Sequence, residues 1–171
     1  TLLGTDDSFD ADVVARKVIE SDAILVASPD YLKRRGKPEV PEDLAHHECL
    51  RLKWMGSRPH VWHMWHPEHP EQGVEVDVQP MLLANHTDTL LRATLDGAGI
   101  TSVSVNLVAA HLTRGELVRV LSPWITGRLA MYAALPSRKF IPHRTRIFLD
   151  YLVAETQLQS TLAMQACTAC G

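Results

Sequence analysis

The segment from Met81 to Leu121 constrains the fold more than any other part of this chain. Met81 to Ala84 reads as an apolar strand. Thr87 to Asp96 reads as a helix with Leu90, Leu91 and Leu95 on one side and Gly97 as its stop. Ile100 to Val105 is a second strand, and Asn106 is expected to cap a helix that runs through Thr113 and ends at Gly115. Leu117 to Leu121 is a third strand. Strands alternating with helices at this spacing require an open parallel or mixed α/β sheet.

The flanking segments extend the same pattern. Val13, Val14, Ala15, Val18 and Ile19 suggest a short strand. Asp22 to Ala27 suggests a second one, apolar enough to be covered on both faces. Ser28 and Pro29 form a cap and first helical residue, and Tyr31 to Arg35 continues as a short helix stopped by Gly36. Pro41-Glu42-Asp43-Leu44 opens another short helix with acids in its first turn. Cys49 to Trp54 returns as a strand. Gly56 to Gly73 is rich in breakers, and its flanks, Val61 to Trp65 and Val74 to Val78, read as hairpin arms. Val74, Val76 and Val78 share one face and Glu75 and Asp77 the other, so this arm is expected to be half exposed near a sheet edge and is a candidate interface. Arg128 to Leu135 is a strand. Pro142 to about Leu162 is the longest helix, and Ile147, Phe148, Tyr151, Leu152 and Leu158 give it a broad apolar face.

Composition narrows the function. Seventeen Lys and Arg against twenty Asp and Glu give a net charge of -3, which excludes a free-standing nucleic-acid binder, since such a domain carries a basic surplus. No apolar run approaches a membrane span. Thr1 to Asp12 is acidic and shows no signal peptide. Three cysteines cannot close a disulfide framework, so a reduced, cytoplasmic setting is expected.

Several local motifs in order then resemble one family. They are Val14-Ala15-Arg16-Lys17-Val18, Leu25-Val26-Ala27-Ser28-Pro29-Asp30-Tyr31-Leu32, Gly36-Lys37-Pro38 with Pro41-Glu42-Asp43-Leu44, and Leu83-Ala84-Asn85. Further on come Leu90 to Ile100, Gly115-Glu116-Leu117-Val118-Arg119-Val120-Leu121, Tyr132 to Arg138, and Arg146 to Leu152. Over about residues 10 to 153 the chain resembles the effector-binding, regulatory domain of LysR-type transcriptional regulators. The resemblance implies an α/β, two-lobed fold like type 2 periplasmic binding proteins, with the first lobe incomplete here. Residues 1–27 and 137–160 would form the partial first lobe, 28–136 the second lobe with crossing strands, and 161–171 a tail. The crossings would fall near Leu25 to Ser28 and Ala130 to Ser137. A helix-turn-helix domain, absent from this chain, would make the only DNA contact. The partners implied are a small-molecule effector and a homodimer or tetramer, with no membrane and no cofactor. The fragmentary first lobe is expected to leave apolar surface exposed around the long C-terminal helix, or to cover it by an intermolecular contact.

Ligands of open α/β sheets sit beyond the carboxyl ends of the strands, facing helix N-termini. That rule places an anionic effector against Asn85, His86 and Thr87, with Lys53 as a cation, Trp54 as an apolar wall, and Val103 and Ser104 on the third side. The plainer role of Asn85 or Thr87 is to cap the helix, and one group can do both.

Other constellations carry less. His60, His63, His66 and His69 recur every third residue, but strand geometry sends residues three apart to opposite faces and the prolines disfavour a helix, so no metal site is expected. Cys167 and Cys170 form a CxxC followed only by Gly171, which reads as a tail. Trp54, Trp62, Trp65 and Trp124 are explained by core and hairpin packing. Gly97-Ala98-Gly99 lacks a third glycine and follows a helix, so it is no dinucleotide fingerprint. A transport solute-binding protein shares the expected fold, and an enzyme of the same fold would need an acid, base or nucleophile set that is not assembled here.

Overall fold

The computed structural model describes residues 2–5, 14–53, 58–135 and 142–169. Among them, nine strands and four α-helices alternate: β1 (Leu2–Thr5), β2 (Val14–Ala27), α1 (Pro29–Arg35), β3 (Cys49–Leu52), β4 (Val61–His66), β5 (His69–Asp77), β6 (Pro80–Ala84), α2 (Thr87–Leu95), β7 (Ile100–Ser104), α3 (Val105–Thr113), β8 (Val118–Val120), β9 (Gly127–Leu135) and α4 (His143–Ala169), with a 3-10 turn at Pro41–His46. A seven-stranded sheet runs in the order β1-β9-β2-β7-β3-β6, and β8 continues the line of β9 along one side of β2. β3 pairs parallel with β6 and β7, and the other pairings of this sheet are antiparallel. This is the mixed α/β architecture that the strand–helix alternation requires.

The apolar run at the end of β2 is the centre of the molecule. Ile24 and Val26 point into one core cluster with Val103, Val105, Val108 and Leu112. Leu25 and Ala27 point into the other, with Tyr31, Leu44, Cys49 and Ile100. Alternate residues thus feed both faces of the sheet, which is why this strand is apolar throughout. Ser28 ends it, and its hydroxyl accepts the Tyr31 N–H at 3.3 Å to start α1. Gly99 lets two backbones meet: a Cβ there would lie 2.2 Å from the Glu48 carbonyl oxygen, and that same oxygen accepts the Ile100 N–H at 2.8 Å.

Four features differ from the sequence reading. β2 is one strand of fourteen residues with a bulge between Lys17 and Ile19, where two short strands are expected. In the stretch Leu25 to Ser28, read as a crossing, Leu25 and Val26 have a strand on each side, β7 and β8. The part of β2 paired with β9 alone runs from Val14 to Asp22. The hairpin is tighter than its breakers suggest: β4 and β5 form a separate two-stranded sheet with a turn at residues 67–68, so Pro70 and Gly73 lie within β5. Its Val76 and Val78 face the core, with Val74 packed beside them, so their apolar face is not free to serve as an interface. Arg51 anchors this hairpin, stacking 4.6 Å from the Trp62 ring centre and donating to the Pro59 and Val61 carbonyls at 2.9 and 2.6 Å. Burial pushes its guanidinium down to about 10. Finally, α4 continues to Ala169, past the expected end near Leu162, and Ala163 is buried against α3.

Beyond the parallel strands the structure thins. β1 and β9 cover the first part of β2, and α4 lies across it. Among the described residues, Val18, Ala133 and Leu149 form the buried cluster there, with Leu152 beside them. Leu129, Met131, Ile147, Phe148, Tyr151, Leu158 and Leu162 remain exposed, which is the apolar surface expected around the long helix.

Candidate functional site

Because β3, β6 and β7 are parallel, their carboxyl ends share one edge of the sheet. Lys53 follows β3, Asn85 follows β6 and Ser104 ends β7. The Lys53 N–H donates to the Ala84 carbonyl at 2.8 Å, which sets Lys53 beside Asn85. Lys53, Asn85 and His86 are exposed and Thr87 is half-buried. The structure therefore brings Lys53, Asn85, His86, Thr87 and Ser104 to one edge. Trp54 lies outside the described residues.

Two helices also begin at this edge, and neither is capped as the sequence suggests. The N-cap of α2 is His86, with extended backbone and no side-chain bond to the helix. The N-cap of α3 is Ser104, two residues before the expected Asn106, again without a side-chain bond. The Ser104 hydroxyl is engaged elsewhere, 2.7 Å from the Ser21 hydroxyl. First-turn N–H groups at a helix start lack intrahelical acceptors and sit at the positive end of the dipole, so this edge favours negative charge. Asp88, in the first turn of α2, supplies one such charge, with its carboxylate 3.8 Å from His86 Nδ1.

Val103 is placed differently. It is 3% exposed and packs with Ile24 and Val105, so its side chain belongs to the core and offers nothing to a ligand at the surface. The alternation of Ser102, Val103 and Ser104 along β7 explains this: the two serines share the opposite face. That face carries three residues that sequence reasoning missed. Ser21 pairs with Ser104, and Ser102 lies 2.5 Å from the Thr126 hydroxyl. Thr126 is held by its own N–H donating to the Ala23 carbonyl at 2.9 Å. Four half-buried hydroxyls thus line β2 and β7 where the strands reach the edge. The polar alternation of β7 signals two of them. Ser21 and Thr126 become visible only through the pairing of β2 with its neighbours.

Between β2 and β9, Arg128 stands opposite Asp22 and donates to its carboxylate at 2.9 Å, with Glu20 at 3.6 Å. The hydrogen bond and charge of Asp22 raise the Arg128 guanidinium above its usual range. This ion pair ties the two strands together.

A depression of about 630 Å³ lies at the other, amino edge of the parallel strands, lined by Arg35, His46, His47, Glu48, His60 and Asp77 among others. Glu48 and Arg35 in its wall are already engaged. The Tyr31 hydroxyl donates to Glu48 Oε2 at 2.7 Å and accepts the Glu48 N–H at 3.0 Å, and Arg35 Nε donates to the same oxygen at 3.0 Å. The Tyr31 bond holds the Glu48 carboxyl below the usual carboxylate range, while burial, with help from Glu48, pushes the Tyr31 hydroxyl up. Burial also lowers His47. This network fastens α1 to the start of β3. Among the described residues, no three His, Cys, Asp or Glu side chains are grouped to hold a metal ion. His66 and His69 meet as a cross-strand pair at 5.4 Å between ring centres. Among the described residues, no helix is long and apolar enough to cross a membrane.

Comparison with known proteins bears on the fold and the family. The family model for the LysR substrate binding domain matches residues 2–157. The chain is 31% identical over 169 residues to the uncharacterised HTH-type transcriptional regulator YcaN of Escherichia coli K12, covering 88% of this chain and 54% of that protein. It is 35% identical over 147 residues to the HTH-type transcriptional regulator PtxR of Pseudomonas aeruginosa, covering 84% and 45%. The chain thus spans about half the length of these relatives. Its fold superimposes on the regulatory domain of CrgA, a LysR-type transcriptional regulator from Neisseria meningitidis, with a TM-score of 0.75 and 29% identity, covering 91% of this chain and 74% of that one.

Proposed function

The chain belongs to the LysR substrate-binding domain family, and from that premise we propose that it binds a small anionic effector at the carboxyl edge of β3, β6 and β7. One observation carries the reading: Lys53, Asn85 and the starts of two helices without side-chain caps converge on that edge. The Lys53 ammonium and the first-turn N–H groups of α2 and α3 take the negative charge. Asn85, Thr87 and the hydroxyls of Ser21, Ser102, Ser104 and Thr126 orient the rest of the ligand. The β2–β9 pair with its Arg128–Asp22 bridge is the joint between the two lobes. Binding favours a closed lobe angle to the extent that the ligand is held more tightly in that state. In the longer, cytoplasmic regulator, as an oligomer, that change repositions a helix-turn-helix domain on DNA. The relatives reported above are transcriptional regulators, which favours a sensor over a transport binding protein or an enzyme.

The test is a thermal-shift panel of small aliphatic and aromatic carboxylates, each beside its primary amide. Carboxylates are expected to raise the melting temperature and amides to leave it unchanged, and the Lys53→Ala, Thr87→Ala double variant loses the response. A carboxylate that stabilises the double variant as much as the parent chain would refute the site.

A further inference from the structure

The hydroxyls beside the end of β7 form two chains, and each chain has a direction. Ser21 lies 2.7 Å from Ser104 and also reaches the Asp22 carbonyl at 3.4 Å. Ser102 lies 2.5 Å from Thr126, which also reaches the Ala23 carbonyl at 3.3 Å. A carbonyl only accepts, and a hydroxyl has one hydrogen to give. Ser104 therefore donates to Ser21, which donates to the Asp22 carbonyl. In the same sense Ser102 donates to Thr126, which donates to the Ala23 carbonyl. Every hydroxyl hydrogen is committed, while Ser102 and Ser104 keep both lone pairs and Ser21 and Thr126 keep one. The array accepts hydrogen bonds and has none to offer.

Its surroundings decide which donor it suits. α3 starts at Ser104 without a side-chain cap, so the positive end of its dipole lies on the array and disfavours an ammonium. An alkyl or aromatic group laid over the array would strip water from the free lone pairs and return no bond. A ligand hydroxyl returns that bond and carries no charge against the dipole. The register sets Ala23 between Ser104 and Gly127, so short side chains let a ligand lie close to the sheet. Lys53 follows β3, and β7 separates β3 from β2. At the usual strand spacing Lys53 and Ser21 are thus roughly 10 Å apart across the edge. A carboxylate on a chain of about five or six carbons, with its hydrogen bonds at both ends, covers that span.

We infer that the effector is a polyhydroxy carboxylic acid of the sugar-acid class. Its carboxylate lies at Lys53 and the first turn of α2, and its hydroxyls donate to Ser102, Ser104 and Ser21. This class of ligand presupposes the carboxylate site proposed above.

Amide shifts of the ¹⁵N-labelled chain measure the affinity for each probe. Ribonate, xylonate, gluconate and galactonate are compared with hexanoate, benzoate and the neutral polyol sorbitol. At least one sugar acid is expected to bind about ten-fold or more tightly than the three comparison compounds, with shifts at Ser102, Ser104 and Thr126. The Ser102→Ala, Ser104→Ala double variant, with the circular dichroism of the parent chain, is expected to hold that acid no better than hexanoate. Ser104→Thr, which keeps the hydroxyl, retains the preference. Hexanoate or benzoate binding as tightly as every sugar acid, or a preference that survives the double variant, would overturn the ligand class and leave the carboxylate site standing. Sorbitol binding as tightly as the sugar acids would overturn the acid and, with it, the site at Lys53. No shift at this edge with any probe would overturn both.

Discussion

The two halves of this molecule hold themselves together differently. Around β3, β6 and β7, both faces of the sheet are covered, and two clusters of buried residues share β2 between them. Around β9 and the start of β2, the described residues bury Val18 and Ala133 against Leu149 of one helix, while Leu129, Met131 and much of the apolar surface of that helix meet solvent. Hydrophobic stabilisation scales with the apolar area removed from water. The first half therefore carries the stability and contains the edge proposed above for the ligand. The second is the half that a partner, a closing lobe or further chain completes.

This contrast can be broken by mutation. The largest effect is expected at Gly99, where an added Cβ meets the Glu48 carbonyl oxygen at 2.2 Å and the close backbone approach must open. Gly99→Ala is predicted to cost about 3 kcal/mol or more in urea unfolding. Leu25→Ala, in the fully buried centre of β2, should cost about 3–4 kcal/mol, and Leu149→Ala, under α4, less than about 2 kcal/mol. Equal costs for the two leucines would erase the distinction between the halves.

Two smaller effects sharpen it. Glu48 sits below the usual carboxylate range because Tyr31 donates to it. Its folded-state value is depressed, so its contribution is present above its ordinary value near 4.5 and lost as pH falls through the lower folded value. Glu48→Gln should therefore lower stability at neutral pH and flatten the acid limb of a pH–stability profile. An unchanged acid limb would mean that the Tyr31 network does not stabilise the first half. Cys49 is fully buried and its thiol is pushed up to about 12 by desolvation. At pH 8 it should be alkylated only through global unfolding, at a rate that follows urea stability. Labelling far faster than that would show the first half opening locally.

The alternation of elements from β6 to β8 was legible because each strand is apolar and each helix ends at a glycine in the left-handed region or beside it. The faces of Val74, Val76 and Val78 were legible from their period of two. The unity of β2 was not, since Lys17, Glu20, Ser21 and Asp22 interrupt its apolar pattern where one sheet face meets water. At the candidate site, Lys53, Asn85 and Thr87 follow from the rule that parallel strands aim their carboxyl ends at ligands. Val103 was misplaced by reading the end of β7 as a unit, although its own alternation separates it from Ser102 and Ser104. Thr126 could not be found locally, because a loop distant in sequence delivers it to β2. The end of α4 escaped notice for a similar reason: the helix persists past Leu162 because Ala163 packs on α3, a contact no local pattern announces.

The central claim is that the ligand sits at the carboxyl edge of the parallel strands and not in the depression at their amino edge. Backbone amide shifts in a ¹⁵N-labelled sample, titrated with the best-binding carboxylate of the panel, test it directly. The account predicts that the largest shifts fall on the first turns of α2 and α3, at Thr87 to Thr89 and Val105 to Leu107, with Lys53 and Asn85 following. Shifts confined to Arg35, His47, Glu48 and His60 would place the ligand at the opposite edge and contradict it.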